Sequence, residues 1–435
     1  MIRKVSYALA LALVPLLACQ EQISSPAADG PDSDVALKKG GKPGGGRNEV
    51  LSFRLVSSGW LHTCAVTETD AAYCWGRNNW FQLGGGSKGA GARPYRNSPT
   101  PVAGGLSIVA VAAGGSHNCA LTPAGEAYCW GANSAGELGD GTGATSSEPV
   151  AVAGGLTFGV LSHSCGLTLS GVPHCWGSNY TGQVGDGTQT DRFSPVPVAG
   201  GHVFTSIDAG TCAVRADGTA YCWGDNRNGQ LGAPSPERST VPLAVSGGLT
   251  FAQVSRGGDH ACGVTTDGDA YCWGFNREGQ LGTPTTELCG DPPNPQPCSR
   301  VPLKVTGGLK FASISVNGGS IGGHTCGVTV TGEVYCWGFN GFSQLGAATS
   351  ETCVGHLDLD APCSTVPIRV STSQTFTSVS AGSFHTCGMG TDGILYCWGD
   401  NEFGQVGTRT SETCQWGINE ERRCSTTPIR VAKQG

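Results

Sequence analysis

The sequence predicts an all-β protein, a seven-bladed β-propeller of four-stranded antiparallel blades whose ring is closed by its C-terminal strand. Three observations predict it. Trp-Gly-x-Asn occurs seven times, at Trp75, Trp130, Trp176, Trp223, Trp273, Trp337 and Trp398. Each copy follows a Cys that has another Cys ten positions before it. No stretch sustains apolar spacing at 3.6 residues; short apolar runs bounded by Gly, Asn, Asp and Pro recur instead, and 70 of 435 residues are Gly.

From the N-terminus, residues 1–18 read as a signal peptide. Arg3 and Lys4 precede an apolar run from Val5 to Ala18, which at 14 residues is short of the ~20 a membrane span needs. Leu16-Leu17-Ala18-Cys19 resembles the bacterial lipobox, so Cys19 is the expected lipidation site. Residues 19–49 are polar and rich in Gly, Pro, Ser and Ala, a composition that buries no core and serves as a tether. Gln20 rather than Asp after the lipidated Cys favours sorting to the outer membrane or cell surface. Residues 50–435 carry the repeats.

Within one repeat, Cys212-Ala-Val-Arg-Ala-Asp-Gly-Thr-Ala-Tyr-Cys222-Trp reads as a hairpin. Ala216-Asp217-Gly218 makes a three-residue loop, with Gly supplying the positive φ. Pairing Arg215 with Thr219 then sets Cys212 opposite Cys222, on one face and within disulfide reach. The same reasoning pairs Cys64/Cys74, Cys119/Cys129, Cys165/Cys175, Cys262/Cys272, Cys326/Cys336 and Cys387/Cys397. The residue after each first Cys is Ala or Gly, which leaves room for a bulky ring. The rest of the repeat is Pro-x-x-Val-x-Gly-Gly-x-x-Phe. Each blade is therefore expected to run Pro-x-x-Val, Phe-x-x-Val, His-Thr-Cys-Ala-Val, Ala-Tyr-Cys-Trp. On that division the first blade lacks its Pro-x-x-Val strand, and the orphan Pro428-Ile429-Arg430-Val431 should complete it.

The Trp-Gly-x-Asn-x-x-Gly-Gln-Leu-Gly motif, preceded by Gly-x-x-His-[Ser/Thr], resembles the regulator of chromosome condensation repeat. Seven copies cover residues 51–432. The resemblance implies a seven-bladed propeller but no single function. The eponymous nuclear member is a nucleotide exchange factor that binds chromatin; others are scaffolds, a photoreceptor and secreted inhibitors of β-lactamase. The paired Cys in every repeat depart from the intracellular members and suit an exported branch.

Charge excludes one function class. The net charge is −7, and loss of Arg3 and Lys4 with the signal takes it to −9. No basic stripe is visible, so nucleic acid is not an expected partner. Gly-x-Ser-x-Gly is spelled at 85–89 and 318–322, and Gly84, Gly86 and Gly89 have dinucleotide-loop spacing, but no helical pattern follows them, so they form neither a nucleophile elbow nor a dinucleotide fingerprint. No His-Glu-x-x-His or phosphate loop occurs, and neither an enzyme nor a cofactor is expected.

Three linkers carry an additional Cys pair, Cys289/Cys298, Cys353/Cys363 and Cys414/Cys424, behind related leaders containing Glu287, Glu351 and Glu412. They follow blades five, six and seven, so they should emerge side by side on one face. Pre-ordered loops lower the entropy cost of binding. Glu287, Glu351, Glu412 and Trp416 are accordingly the candidate partner contacts. The recurring His62, His117, His163, His260, His324 and His385 read as hydrogen-bonding groups at a strand start rather than a metal ring, since blade four has Gly210-Thr211 instead. Gly139-Asp140-Gly141-Thr142 and Gly185-Asp186-Gly187-Thr188 read as turns that lack a calcium ligand set. Trp80, Phe81, Tyr95, Tyr180, Phe342, Phe403 and Trp416 lie in linkers, as contact anchors or as cover for blade edges. The expectation is a monomeric, envelope-tethered, protein-binding scaffold that touches the membrane only through its lipid. The alternatives are an inhibitor of an extracytoplasmic enzyme or a glycan-binding or hydrolytic propeller.

Overall fold

A computed structural model describes residues 51–86, 93–208, 211–290, 295–317, 322–354, 360–416 and 420–434. The signal segment, Cys19 and the tether lie outside the described residues. The rest forms seven antiparallel sheets, four of four strands and three of five. In the first blade the strands are Phe53–Ser58, His62–Thr67, Ala72–Arg77 and Tyr95–Pro101, in that order from the innermost outward.

Ten disulfides are present. Seven lie within the repeats: Cys64–Cys74, Cys119–Cys129, Cys165–Cys175, Cys212–Cys222, Cys262–Cys272, Cys326–Cys336 and Cys387–Cys397. Three lie in the linkers: Cys289–Cys298, Cys353–Cys363 and Cys414–Cys424. They pair the cysteines as their spacing predicts and require an oxidising compartment. Cys212 faces Cys222 and Ala213 faces Tyr221, in the predicted register. Gly218 has φ +80° and donates its N–H to the Arg215 carbonyl (2.9 Å), which closes the loop. Where Gly follows the first Cys, in blades three, five, six and seven, the space beside it is filled by the Phe of the same blade's inner strand. A Cβ on Gly263 would sit 2.5 Å from Phe251 Cδ1, and one on Gly388 2.8 Å from Phe376 Cδ1. No side chain larger than Ala fits there.

The repeat cysteines do more than staple their own hairpins, which is all that the sequence spacing assigns to them. The second Cys of each pair is a fully buried core residue at the junction with the following blade. Cys129 packs with Trp176, Cys175 with Trp223 and Cys272 with Trp337. Sulfur this deep is closed to solvent and to any partner. The pairing with the fourth strand is also less regular than a plain ladder. It shifts register just after the same cysteine, between Cys129 and Gly131, Cys175 and Gly177, and Cys272 and Gly274. Such a bulge bends the strand where it carries the Trp into the junction.

The blade boundary differs from the sequence expectation. The variable stretch after Gly-Gln-Leu-Gly does not cross to the next blade. It brings Pro-x-x-Val back as the fourth strand of the same blade, so that Cys74 faces Thr100 and Cys222 faces Leu243. That strand is the outer strand of a four-stranded blade, where a residue without an N–H is tolerated. The Gly-Gly pair then carries the chain to the inner strand of the next blade. Pro428–Val431 accordingly belongs to blade seven, where Cys397 faces Ile429, and does not complete blade one. C-terminal residues still close the ring by another join. The Leu51 N–H donates to the Lys433 carbonyl (2.8 Å), and Leu51 and Gln434 form a parallel bridge.

The core is divided among the seven junctions between blades. Cys64, Val66, Cys74 and Leu83 of blade one pack with Ile108, Ala120 and Trp130 of blade two. The closing junction is built alike, with Met389, Leu395, Val406 and Val431 against Leu51, Phe53, Ala65 and Trp75. The repeated Trp is almost fully buried in all seven; truncating one such ring to Ala costs about 3–5 kcal/mol.

Candidate functional site

The recurring letters of the repeat are spent on joining blades. Trp75 Nε1–H donates to the Gln405 carbonyl of blade seven (3.0 Å), and Trp130 Nε1–H to the Gln82 carbonyl of blade one (3.0 Å). All seven Trp make this bond. The motif Asn holds the linker, as where Leu83 N–H donates to Asn78 Oδ1 (3.0 Å).

The histidines serve the same junctions. His385 Nε2 lies 2.8 Å from Thr63 Oγ1 of the next blade, and that hydroxyl donates its single proton to the Gln405 carbonyl (2.8 Å). The hydroxyl therefore accepts from His385, which fixes the neutral Nε2–H tautomer. His260 and His324 repeat the arrangement with Thr325 and Thr386, and His62 with Asn118. Burial lowers the pKa of His260, His324 and His385 to about 3 and that of His62 to about 4. For His62, His117, His260, His324 and His385 the anticipated bond exists but runs to the neighbouring blade, whereas His163 Nδ1 bonds the Ser164 hydroxyl of its own blade (2.7 Å).

The three extra Cys pairs build three hairpins. Glu287–Cys289, Glu351–Val354 and Glu412–Trp416 add a fifth, outermost strand to blades five, six and seven. The third strand of blade five ends at Phe275, opposite Cys298, and Cys298 in turn faces Glu287. Cys289 and Gln296, which face each other, therefore stand beyond the end of the third strand, on the face where each second strand starts. Hairpin seven reaches further: its ladder runs from Glu412↔Cys424 to Trp416↔Glu420. Four residues at ~3.3 Å each lift its tip about 13 Å.

The candidate glutamates sit at the hairpin bases. Glu287 accepts from the Arg300 N–H and pairs with its guanidinium (2.7 Å). Glu351 and Glu412 each accept from the N–H and hydroxyl of Thr365 and Thr426. These bonds tie the fifth strand to the fourth. Glu287 also shares its surroundings with Cys289 and Cys298 in a metal-like cluster, but both sulfurs are bonded to each other and offer no thiolate. Trp416 lies in the hairpin-seven ladder, and its side chain is outside the described residues. Sequence reasoning missed Leu288 and Val354, 54% and 48% exposed on hairpins five and six. Of the two roles left open for the linker aromatics, Phe342 takes that of cover. Phe342 is buried, with Phe339, Ala361, Cys414 and Cys424, under the Arg422 guanidinium 4.9 Å away, and supports hairpin seven.

The same face opens onto a central cavity of about 680 Å³. Its wall is made by the inner strands, and it extends outward to Tyr180, Thr181, Asp225 and Arg227. Tyr180 and Trp60 are 69% and 55% exposed. Asp225 holds Arg227 through two bonds of 3.0 and 2.8 Å, and Asn228 donates to Asp259 (3.2 Å). Arg256 is buried beneath them, its pKa lowered to about 10 by burial against the pull of Asp225 and Asp259, so it is charged at neutral pH.

Other linker candidates have local partners. Asp140 accepts from Asn133 and Thr142, and Asp186 from Asn179, Thr188 and Arg192. Phe403 lies half-buried beneath Arg77, 5.5 Å away. Phe81 and Tyr95 are half-buried, and Trp80 is 46% exposed.

Two family models, each described as regulator of chromosome condensation (RCC1) repeat, match the chain. One covers residues 53–79, 108–137, 251–280, 316–344 and 376–405. The other covers 70–121, 124–173, 217–264, 267–326 and 331–389. Among curated proteins, the human E3 ubiquitin-protein ligase HERC2 is 36% identical over 98 residues, 22% of this chain and 2% of that protein. The human probable E3 ubiquitin-protein ligase HERC6 is 35% identical over 111 residues, 24% of this chain and 10% of that protein. The matches thus span a tenth or less of these relatives. Among solved structures, human WBSCR16 superposes with a TM-score of 0.65 at 21% identity, over 78% of this chain and 88% of that one. Saccharomyces cerevisiae Prp20p, studied for its binding to Gsp1p and histones, superposes with a TM-score of 0.66 at 20% identity, over 88% and 87%. At these identities the likeness shows the fold.

Proposed function

This chain belongs to the regulator of chromosome condensation repeat family, and from that premise we propose that it is an envelope-tethered propeller that binds a protein partner on its three-hairpin face. The observation that carries the reading is the row of hairpins on adjacent blades five, six and seven. Each is braced by its own disulfide and by a Glu at its base, and two of them offer exposed Leu288 and Val354. Braced loops lose little entropy on docking, and apolar side chains held above a surface are suitable anchors. Glu287, Glu351 and Glu412 set the geometry and line the partner's edge, with Trp416 near the tip of hairpin seven. The Leu-Leu-Ala-Cys19 spelling and the tether of residues 19–49 support attachment by lipid to an outer membrane or cell surface.

The test is affinity capture from envelope extracts with residues 20–435. A second bait has 289–298, 353–363 and 414–424 replaced by short Gly-Ser turns. A partner retained by the first bait and lost by the second supports the reading, and single Leu288→Asp and Val354→Asp substitutions should weaken capture tenfold or more. Equal recovery by both baits removes the hairpins from the binding site.

A further inference from the structure

Seven copies of one repeat provide an internal standard, and blades three and four fall short of it while blade six, with 15 residues from Phe311 to Cys326, exceeds it. From the inner-strand Phe to the first Cys there are 7 residues in blade three (Phe158 to Cys165) and 8 in blade four (Phe204 to Cys212), against 11 in blades one and five (Phe53 to Cys64, Phe251 to Cys262). The inner turn is shortened there, and the cavity opens sideways to Tyr180 and Asp225. Around the channel, Ser57, Ser255, Ser315 and Ser380 each accept a backbone N–H from the next blade through Oγ. In blade four Asp208 takes that place and accepts from the Arg256 N–H (2.8 Å).

The junction is altered too. Blade four has no motif His. Instead Arg256, where blades one and seven have Ser58 and Ala381, reaches back from blade five to Thr211 Oγ1 and the Trp223 carbonyl. It is only 7% exposed, and its Nε has no partner among the described residues. None of these changes strengthens the latch used at the other junctions. Together they put charged, planar groups and an exposed ring at one open place.

We propose that this cavity mouth binds an oligosaccharide of pyranose units. Tyr180 and Trp60 are exposed rings in the lining, and the negative potential of a ring face attracts the C–H face of a pyranose. The Asp225–Arg227 and Asn228–Asp259 pairs are planar and orient each other. They offer adjacent donors and acceptors that match vicinal hydroxyls, each of which both donates and accepts. Three carboxylates against two guanidinium groups do not suit a polyanion. The volume lies within the ~300–1,000 Å³ of small-ligand sites. The site is separate from the hairpins and goes beyond the protein-binding reading.

The test is titration calorimetry of residues 20–435 with chito-, cello- and malto-oligosaccharides of two to six units, beside pull-down by insoluble peptidoglycan sacculi. The first arm reads free sugars and the second the wall polymer. Saturable binding in either arm is expected. Tyr180→Ala and Asp225→Asn should each weaken it about tenfold or more. Trp80→Ala, outside the cavity, and the hairpin-trimmed chain should bind as the parent does. The exposed Tyr180 can be removed without unfolding, which a melting curve checks. No binding to any probe at millimolar concentration overturns the proposal, as does an affinity unchanged by Tyr180→Ala. Loss of a captured protein, rather than a sugar, on Tyr180→Ala would also overturn it and give the mouth to the protein partner.

Discussion

At a single histidine, the hydrogen bonds decide the chemistry. His324 donates from Nε2 to Thr386, and its buried Nδ1 has no partner among the described residues. A proton on Nδ1 would place an unpaired charge in the junction, and this is why burial lowers the pKa to about 3. The sign for stability follows. Above pH 6.5 both folded and unfolded states are neutral. Below it the unfolded chain takes up protons that the folded chain refuses, so stability falls as pH drops from 6.5 toward 3. At pH 4 each such His costs about 3 kcal/mol. Buried Asp400 and Glu278 act in the opposite sense. Burial raises their pKa to about 6 and about 7, so they stabilise at low pH and lose that contribution as pH rises through those values. His62, His163, His260, His324 and His385 outnumber them. The melting temperature should level off only above about pH 8, once Glu278 has ionised, and fall steeply by pH 4, and His324→Gln, which keeps a donor to Thr386, should reduce that fall. A melting temperature that rises at pH 4 would show the histidines charged in the folded state.

At the scale of the strand and hairpin, two classes of disulfide separate. The seven repeat bridges join directly opposite residues with Cα–Cα distances of 4.0–4.2 Å, at the centre of each blade. These were legible in the sequence because a short loop, such as Ala216-Asp217-Gly218, fixes the register and alternation fixes the face; the positive-φ residue that closes it is Gly in six blades and Asp70 in the first. That Cys129, Cys175 and Cys272 also pack under the next blade's Trp was not, since the packing joins residues of different repeats. The three hairpin bridges join diagonal positions at 5.7–5.8 Å, beyond the blade ends. Replacing Cys326 and Cys336 by Ala should cost about 2–3 kcal/mol of global stability. Replacing Cys353 and Cys363 by Ser, where Cys353 is only half-buried, should change the global melting temperature much less and expose hairpin six to limited proteolysis. Equal losses would mean that the hairpins fold as part of the core. The phase of the repeat was not legible in the same way. Gly104 and Gly105, both at positive φ, suit a hairpin turn as well as a crossover. Only the three-dimensional edge left open by the third strand decides that Pro-x-x-Val folds back. The cavity mouth was illegible for a related reason: its residues come from blades one, three, four and five, and no linear pattern joins Trp60 to Tyr180 and Asp259.

For the ring as a whole, the last strand and the first imitate a junction. Six times the chain leaves a fourth strand and turns through a short loop, usually Val-x-Gly-Gly-Leu, into the next blade. Val431-Ala432-Lys433-Gln434 and Leu51 occupy the same five positions, split between the two ends. Lys433 adopts φ +65°, the left-handed conformation that Gly takes elsewhere and that costs a lysine about 1 kcal/mol. The Leu51 N–H to Lys433 carbonyl bond stands in for the missing peptide link. The closing Trp75 is packed as tightly as the others: a Cβ on Gly407 would lie 2.7 Å from its Nε1. Closure therefore rests on packing and the Gln405 carbonyl latch and needs no shared strand, so the ring should tolerate being opened elsewhere. A circular permutant with Val431-Ala432-Gly-Gly joined to Leu51, and new ends between Gly247 and Gly248, should keep the ten disulfides. It should melt within a few degrees of the parent, and the relief of Lys433 partly offsets the new break. Failure of this permutant to fold, with an intact junction at 431–51, would show that the junction between blades four and five, where Arg256 takes the place of the motif His, cannot hold without its covalent link.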